Sequence, residues 1–314
     1  MKSRQKFIRG LDQLKPFHQP SVVSIGNYDG VHLGHQQVIK TLIEKSRAMC
    51  APATVVTFMP LAKEFFAANS VVRLNPIEQR AEQLFSLGVD QVLAVEFNAE
   101  FAAHSAEKFV SDVLVNGLGV RYLCVGDDFR FGKDRAGDFD LLVRSGTQYG
   151  FTVAAQKTCS MDNRRVSSGW IREAVQANDF RLAEKLLGRV YSISGIISKG
   201  QQLGRTINYP TANLLLENVQ YAISGVYAVR VSIAGAKMIN GVANLGMRPT
   251  VDGKQNRLEV HLFDFDNDIY GKKMDVVFLN KIRQEQKFDS IELLKAQIGR
   301  DAESARVFFQ KTEA

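Results

Sequence analysis

The chain is poor in cysteine: Cys50, Cys124 and Cys159 are the only three in 314 residues. An odd number with no C-x-x-C pair argues against a disulfide scaffold or a cysteine zinc cluster, and fits a reducing cytoplasm. Long apolar runs are missing too. None approaches the roughly 18 residues that cross a bilayer. The N-terminal MKSRQKFIRGLDQLKPFHQP has no apolar core of the kind a secretion signal needs. The formal net charge is +7, yet no run of five or more Lys/Arg forms a basic arm. Nucleic acid is one reason for such a balance; phosphorylated small molecules are another. Neither GxxxxGK[ST] nor GxGxxG occurs, which excludes a standard P-loop and the usual dinucleotide fingerprint. No repeat or low-complexity tract is present.

Hydrophobic content is 45% and charged content 23%, ordinary for a globular chain able to bury full cores. The length suggests two domains. From residue 21 to about 187, apolar strand-like runs alternate with helical patterns. The runs are SVVSIG (21–26), ATVVTF (53–58), QVLAVEF (91–97), RYLCVG (121–126) and FTVAAQ (151–156). This alternation predicts a parallel sheet with helices on both faces, binding ligands at the carboxyl ends of its strands. One helix is expected from Asn75 as N-cap, with Pro76 and Glu78 in its first turn and Gly88 ending it. After Gly188 the texture changes to short glycine-separated β-segments. YAVRV and LEVHLF alternate as half-buried antiparallel strands do, and the close turns predict a small barrel. Ile291, Leu294 and Ile298 predict a terminal helix packed on it. The boundary falls near residue 187, giving domains 1–187 and 188–314.

Two stretches carry chemistry. In 25-IGNYDGVHLGHQQVIKTLI-43, His32 and His35 follow a strand and precede Val38, Ile39, Leu42 and Ile43 at helical spacing. The histidines therefore sit at a strand-to-helix turn and share a face. Gly34 between them lets backbone and ligand approach closely, and the amides of a helix start favour an anion. Two imidazoles there suit the charge that builds on a transferring phosphate. A metal site and a merely structural turn are the other readings. His18, His104 and His261 are the only other histidines, and no carboxylate pattern completes a metal site. In 200-GQQLGRTINYPTANL-214, Thr211 and Asn213 stand two apart on an extended segment. They offer hard oxygens to a nucleotide-bound Mg²⁺.

IGNYDGVHLGHQ resembles the HxGH signature of the nucleotidyltransferase superfamily, in the form seen in bacterial bifunctional riboflavin kinase/FMN adenylyltransferases. TFMP (57–60), VGDDFRFG (125–132), VSSGWIR (166–172), GxxLGRTxxxPTAN, RLEVHLFDF and FLNKIRQEQKF are similar to that family in the same order, from about residue 20 to 310. The resemblance implies an N-terminal Rossmann-like adenylyltransferase domain and a C-terminal antiparallel β-barrel kinase domain with a terminal helix. It implies phosphorylation of riboflavin to FMN, then adenylyl transfer from ATP to FMN giving FAD and pyrophosphate.

By resemblance, His32, His35 and Glu259 are catalytic, with Glu259 as general base. Gly26, Asn27, Asp29, Gly34, Ser168, Arg172, Gly200, Gly204 and Arg205 bind nucleotide or phosphate. Phe58, Asp128, Phe129 and Arg283 bind flavin, with Asp127 and Phe131 close by in the motif, and Thr211 and Asn213 hold Mg²⁺. The implied partners are riboflavin, FMN, FAD and ATP, with no nucleic acid or membrane, in a cytoplasmic monomer or weak homo-oligomer.

Four departures stand out. Tyr28 replaces a usual phenylalanine. Leu61 and Ala62 stand where the family has a second proline-containing step, and Asn208 stands where it has glycine. Gly169 and Trp170 stand where it has Thr and often Arg. The last predicts, as the alternative, a kinase with an impaired adenylyltransferase domain.

Overall fold

A computed structural model describes residues 5–14, 20–66, 72–126, 128–199, 209–217, 219–250 and 253–313. The chain forms two compact units, Met1–Val71 with Arg80–Ser167, and Val72–Gln79 with Ser168–Ala314.

The first unit is built on a six-stranded sheet: β1 (Lys6–Arg9), β2 (Ser21–Ile25), β3 (Ala53–Met59), β4 (Gln91–Glu96), β5 (Val120–Gly126) and β6 (Thr152–Gln156). Their order is β1-β4-β3-β2-β5-β6 and every pairing is parallel. The five expected strands are all there. β1 is an addition: its KFIR is too short and charged to show a strand period, and it gains its place by pairing with β4 at the sheet edge.

Alternate strand residues supply two cores, because side chains alternate across a sheet. Val22, Val55 and Val92 pack under α1 (Leu33–Ala48), against Ile39, Leu42 and Ile43. Val23, Val56, Leu93 and Leu123 face the other way, onto the π-helical segment Phe109–Gly117. With both faces covered, β2 is buried at every position, which is why it reads as a continuous apolar run.

Short helices α2 (Ala62–Phe66), α4 (Ala99–Ala102) and α5 (Ala106–Lys108) and the longer α3 (Ile77–Ser86) and α6 (Phe139–Tyr149) complete the α/β framework. Gly88 ends α3 at φ +100°, as expected of a left-handed stop. At its start, the Ile77 amide donates to the Glu217 carboxylate, 2.8 Å away. This cap comes from a residue 140 positions on, which no local pattern shows. A small hairpin, β7 (Ser160–Met161) with β8 (Arg164–Arg165), turns through Asp162 and Asn163, both at positive φ.

In the second unit, α7 (Ser168–Gln176) and α8 (Phe180–Leu187) precede a closed antiparallel barrel. Its strands are β9 (Ser192–Ser198), β10 (Ala212–Leu215), β11 (Gly225–Ile233), β12 (Ile239–Thr250), β13 (Gly253–Leu262) and β14 (Lys273–Arg283), in the order β10-β13-β12-β11-β14-β9. The terminal helix α9 (Ile291–Glu313) covers part of the outer wall. The expected contact face of α9 needs correction. Ile291 is half exposed, and it is Ala302, Ala305 and Phe309 that pack on Val226, Ala228, Val242 and Phe263. That cover also buries both faces of most of β11, where half-burial is the expectation from sequence. Arg73 pairs with Glu217, and Tyr191 donates its hydroxyl to the Leu74 carbonyl at 2.8 Å, so residues 72–79 belong with this barrel. No described helix is long and apolar enough to cross a membrane.

Candidate active sites of the two units

The loop from β2 to α1 is bent by three positive-φ residues within four positions: Tyr28 (φ 50°), Gly30 (φ 79°) and Val31 (φ 40°). A β-branched residue at positive φ is strained, and such strain persists only where the surroundings over-determine it. Three anchors do so here. The buried Arg80 guanidinium donates to the Asn27 carbonyl at 3.0 Å, the Thr57 hydroxyl donates to the same oxygen at 3.0 Å, and the buried Asp29 carboxylate faces Arg80 at 3.5 Å. The Tyr28 hydroxyl donates to Ser24 Oγ at 2.6 Å, and Ser24 in turn donates to the Cys124 carbonyl at 2.6 Å. Burial pushes the Tyr28 phenol well above its ordinary value.

The loop delivers His32 as the N-cap of α1. Its Nδ1 accepts the His35 amide at 3.3 Å, which satisfies one of the helix's orphan donors. The two imidazoles stack with centroids 3.6 Å apart, and the Tyr28 ring lies 4.9 Å from His35. His32 is 6% exposed and His35 is half-buried. An amide can only donate, so Nδ1 of His32 is unprotonated and Nε2 carries the hydrogen. A Cβ at Gly34 would lie 3.2 Å from the His32 ring and 3.5 Å from Cys159 Cβ. The missing side chain at Gly34 thus leaves room for the His32 imidazole.

Because β3, β2 and β5 are parallel neighbours, their carboxyl ends share one edge of the sheet. The order reverses at β2, where α/β sheets bind ligands. Phe58, at the end of β3, packs edge-on against Phe97 with centroids 5.9 Å apart; Phe129, after β5, stacks on Phe131 at 5.5 Å. Phe131 is core, while Phe58 and Phe129 are partly exposed. Asp128 is clasped by Arg165 through two bonds of 2.7 and 3.0 Å, and that hydrogen-bonded pair holds its carboxyl below the usual range. Arg80 and Arg165 were both missed by sequence reasoning, since neither lies in a recognisable motif. Gly26 backs onto the Tyr28 ring, and the Asn27 side chain is exposed.

The remaining candidates lie in the second unit. Ser168 opens α7, and Arg172 donates to the Val72 carbonyl at 2.5 Å. Gly169 is exposed, whereas Trp170 sits on the buried face of α7 with Ile171, Ala174 and Val175. On the barrel, Glu259 stands opposite Asn213 across the β10–β13 pairing and forms an ion pair with Arg257 at 3.8 Å. Asn213 Nδ2 donates to the Thr211 carbonyl at 3.2 Å, which leaves Oδ1 as the amide's ligand atom. Arg283 is held by Asp301 through bonds of 2.8 and 2.7 Å, so its charge is spent on tying β14 to α9. Asp127, Gly200, Gly204, Arg205 and Asn208 lie outside the described residues. Among the described residues no cluster of three or more His, Cys, Asp or Glu could hold a metal.

An α/β unit with two imidazoles at a helix start, in one chain with a barrel that aligns an amide and a carboxylate, fits an enzyme acting on nucleotide phosphates. The comparisons with known proteins specify it further. The FAD synthetase family matches residues 14–170 and the riboflavin kinase family matches residues 187–309. A bifunctional riboflavin kinase/FMN adenylyltransferase of Pseudomonas fluorescens is 46% identical, covering 96% of this chain and 97% of its own. One of Escherichia coli K12 is 45% identical, covering 98% and 99%. A crystal structure described as a macrolide-efflux protein of Streptococcus pneumoniae shares the architecture, with a TM-score of 0.71 and 30% identity over 96% of this chain and 98% of that one. The chain belongs to the bifunctional riboflavin kinase/FMN adenylyltransferase family.

Proposed function

We propose that the chain makes FAD in two ATP-dependent steps, one in each half. Residues 188–314 phosphorylate riboflavin on its 5′-hydroxyl, giving FMN and ADP. Residues 1–187 transfer AMP from a second ATP to the FMN phosphate, giving FAD and pyrophosphate. What carries this reading is that each half holds its own chemistry: a stacked imidazole pair in one, a carboxylate beside oxygen ligands in the other.

In the barrel, Glu259 takes the proton of the attacking hydroxyl as its oxygen bonds to the γ-phosphorus and the bond to ADP breaks. General-base help of this kind contributes about 10²–10⁴ in rate. Thr211 and Asn213 suit Mg²⁺ by donor chemistry: both present hard oxygens, and the amide nitrogen is already engaged. When bound, the ion would neutralise charge on the ATP phosphates.

Adenylyl transfer needs no base, because the attacking FMN phosphate is already an anion. The oxygen of that phosphate bonds to the α-phosphorus while pyrophosphate leaves. The Nε2–H of His32, the His35 ring and the first amides of α1 donate to the charge that develops. Ser168 and Arg172 are assigned to nucleotide phosphate by resemblance, as Phe58, Asp128, Phe129 and Arg283 are to flavin. Trp170 packs on the buried face of α7, and the match of the FAD synthetase family over residues 14–170 favours a working adenylyltransferase over an impaired one. The setting is a cytoplasmic monomer or weak homo-oligomer with no nucleic-acid or membrane partner. Incubation of the pure protein with riboflavin, ATP and Mg²⁺, read by chromatography, should show FMN rising and then converting to FAD. FMN that accumulates without FAD would sink the second step.

A further inference from the structure

Asn244 on β12 stands directly opposite Glu259 on β13, and Glu259 stands opposite Asn213 on β10. Direct cross-strand partners point to one face, with Cβ atoms about 4.5–5.5 Å apart. The three polar side chains therefore form one row across three neighbouring strands. The row lies on the outer wall, since the alternate residues Ala243, Leu245, Leu258 and Val260 fill the interior and are each at most 2% exposed.

Asn244 has covered neighbours on that wall. Two residues before it, Val242 is packed under α9. Two residues after it, a Cβ at Gly246 would overlap the Glu285 carboxylate. On the adjoining β11 its partner is the apolar Val226. Among the described residues, Asn244 Oδ1 is buried and accepts no hydrogen bond. A buried acceptor of this kind is costly unless a donor reaches it. Glu259, an acceptor when ionised, cannot supply one through its carboxylate.

We propose that Asn244 is a specificity-determining residue of the kinase site. Its Oδ1 accepts a hydrogen bond from a hydroxyl of the ribityl chain, next to the terminal hydroxyl that Glu259 deprotonates. The inference rests on the reading of Glu259 as the base, for that places the ribityl chain, rather than the flavin ring, along this row. A flavin that lacks those hydroxyls gains nothing from Asn244.

The test compares riboflavin with lumiflavin, which carries a methyl group in place of the ribityl chain. Binding of each is read by flavin fluorescence in the full chain with ADP and Mg²⁺, for the wild type, Asn244→Ala and Asn244→Ser. Asn244→Ala should weaken riboflavin about tenfold, the equivalent of about 1.4 kcal/mol, and leave lumiflavin within about twofold. Asn244→Ser, which keeps a shorter acceptor, should fall between. The ratio of the two affinities within one preparation does not depend on how much of it is folded. An unchanged riboflavin affinity, or equal weakening of both flavins, would overturn the proposal. Glu259→Gln is assayed in parallel: full phosphorylation by that variant would remove the base assignment, while the two-flavin ratio still decides whether Asn244 meets the ribityl chain.

Discussion

His32 Nδ1 accepts the amide hydrogen of His35, and the two rings lie face to face with centroids 3.6 Å apart. One contact caps the helix, fixes the tautomer of the first imidazole and positions the second. The proposed chemistry thus falls on residues that also hold the structure, and the sharpest tests separate the two.

Gly34→Ala makes that separation. Alanine is the better helix former by up to about 1 kcal/mol, but disturbing the His32 cap of α1 costs about as much, so the melting temperature should change little. The new Cβ meets the His32 ring at 3.2 Å, however, and the ring must give way. Displacements of this order in a catalytic group cost up to about 10² in rate. FAD formation from FMN should drop at least tenfold while FMN formation from riboflavin stays normal. An unchanged adenylyl-transfer rate would show that the ring position does not matter.

Arg80→Met removes the cation that faces Asp29 and anchors the Asn27 carbonyl. Both side chains are about 1% exposed, so the carboxylate stays buried but loses that cation. Loss of one member of such a pair costs about 3–5 kcal/mol. Denaturant unfolding should show a loss of this size, with much of it recovered in the double variant Asp29→Asn/Arg80→Met. A single-variant loss under about 1 kcal/mol would contradict the anchoring role.

Tyr28→Phe deletes a buried hydroxyl that donates to Ser24, and leaves Ser24 bonded to the Cys124 carbonyl. A hydrogen bond of this kind contributes about 0.5–1.5 kcal/mol net. Stability should fall within that range and FAD formation should change less than about threefold. A loss of activity without a loss of stability would place the phenol in the chemistry rather than in the scaffold.

The alkaline limb of stability follows from burial. The Cys124 thiol is pushed from 9.0 up to about 11, and the Tyr28 phenol also upward. A raised value means that the folded chain keeps protons the unfolded chain would lose. That stability is complete below about pH 9 and is lost as pH rises through about 11. Thermal midpoints should decline across that window, and Cys124→Ala should make the decline shallower. A flat profile from pH 9 to 11 would contradict this.

Much of the architecture was legible in the sequence, because strands buried on both faces write themselves as apolar runs and helices write their period. The five central strands, the change of texture at Gly188 and the barrel all came from local pattern. What stayed hidden depends on distant partners. Lys6–Arg9 becomes a strand only by pairing with β4, and α3 is capped by a carboxylate from the barrel. The anchoring Arg80 sits in a helix with nothing in its neighbours to mark it. Motifs single out His32, His35, Thr211, Asn213 and Glu259 as candidates, but give no hint that Gly34 makes room for an imidazole or that Asp301 engages Arg283. Asn244 escaped attention because its meaning lies in strand register, which no single strand carries.

The central claim is that two independent sites act in series. The most direct measurement is product analysis for His35→Ala and Glu259→Gln, each given riboflavin or FMN with ATP and Mg²⁺. His35→Ala should lose at least about 10² in FAD formation, as for one lost oxyanion donor, and should make FMN at the normal rate. Glu259→Gln should fail to make FMN yet convert supplied FMN to FAD. If either folded variant lost both products together, the two-site account would be wrong.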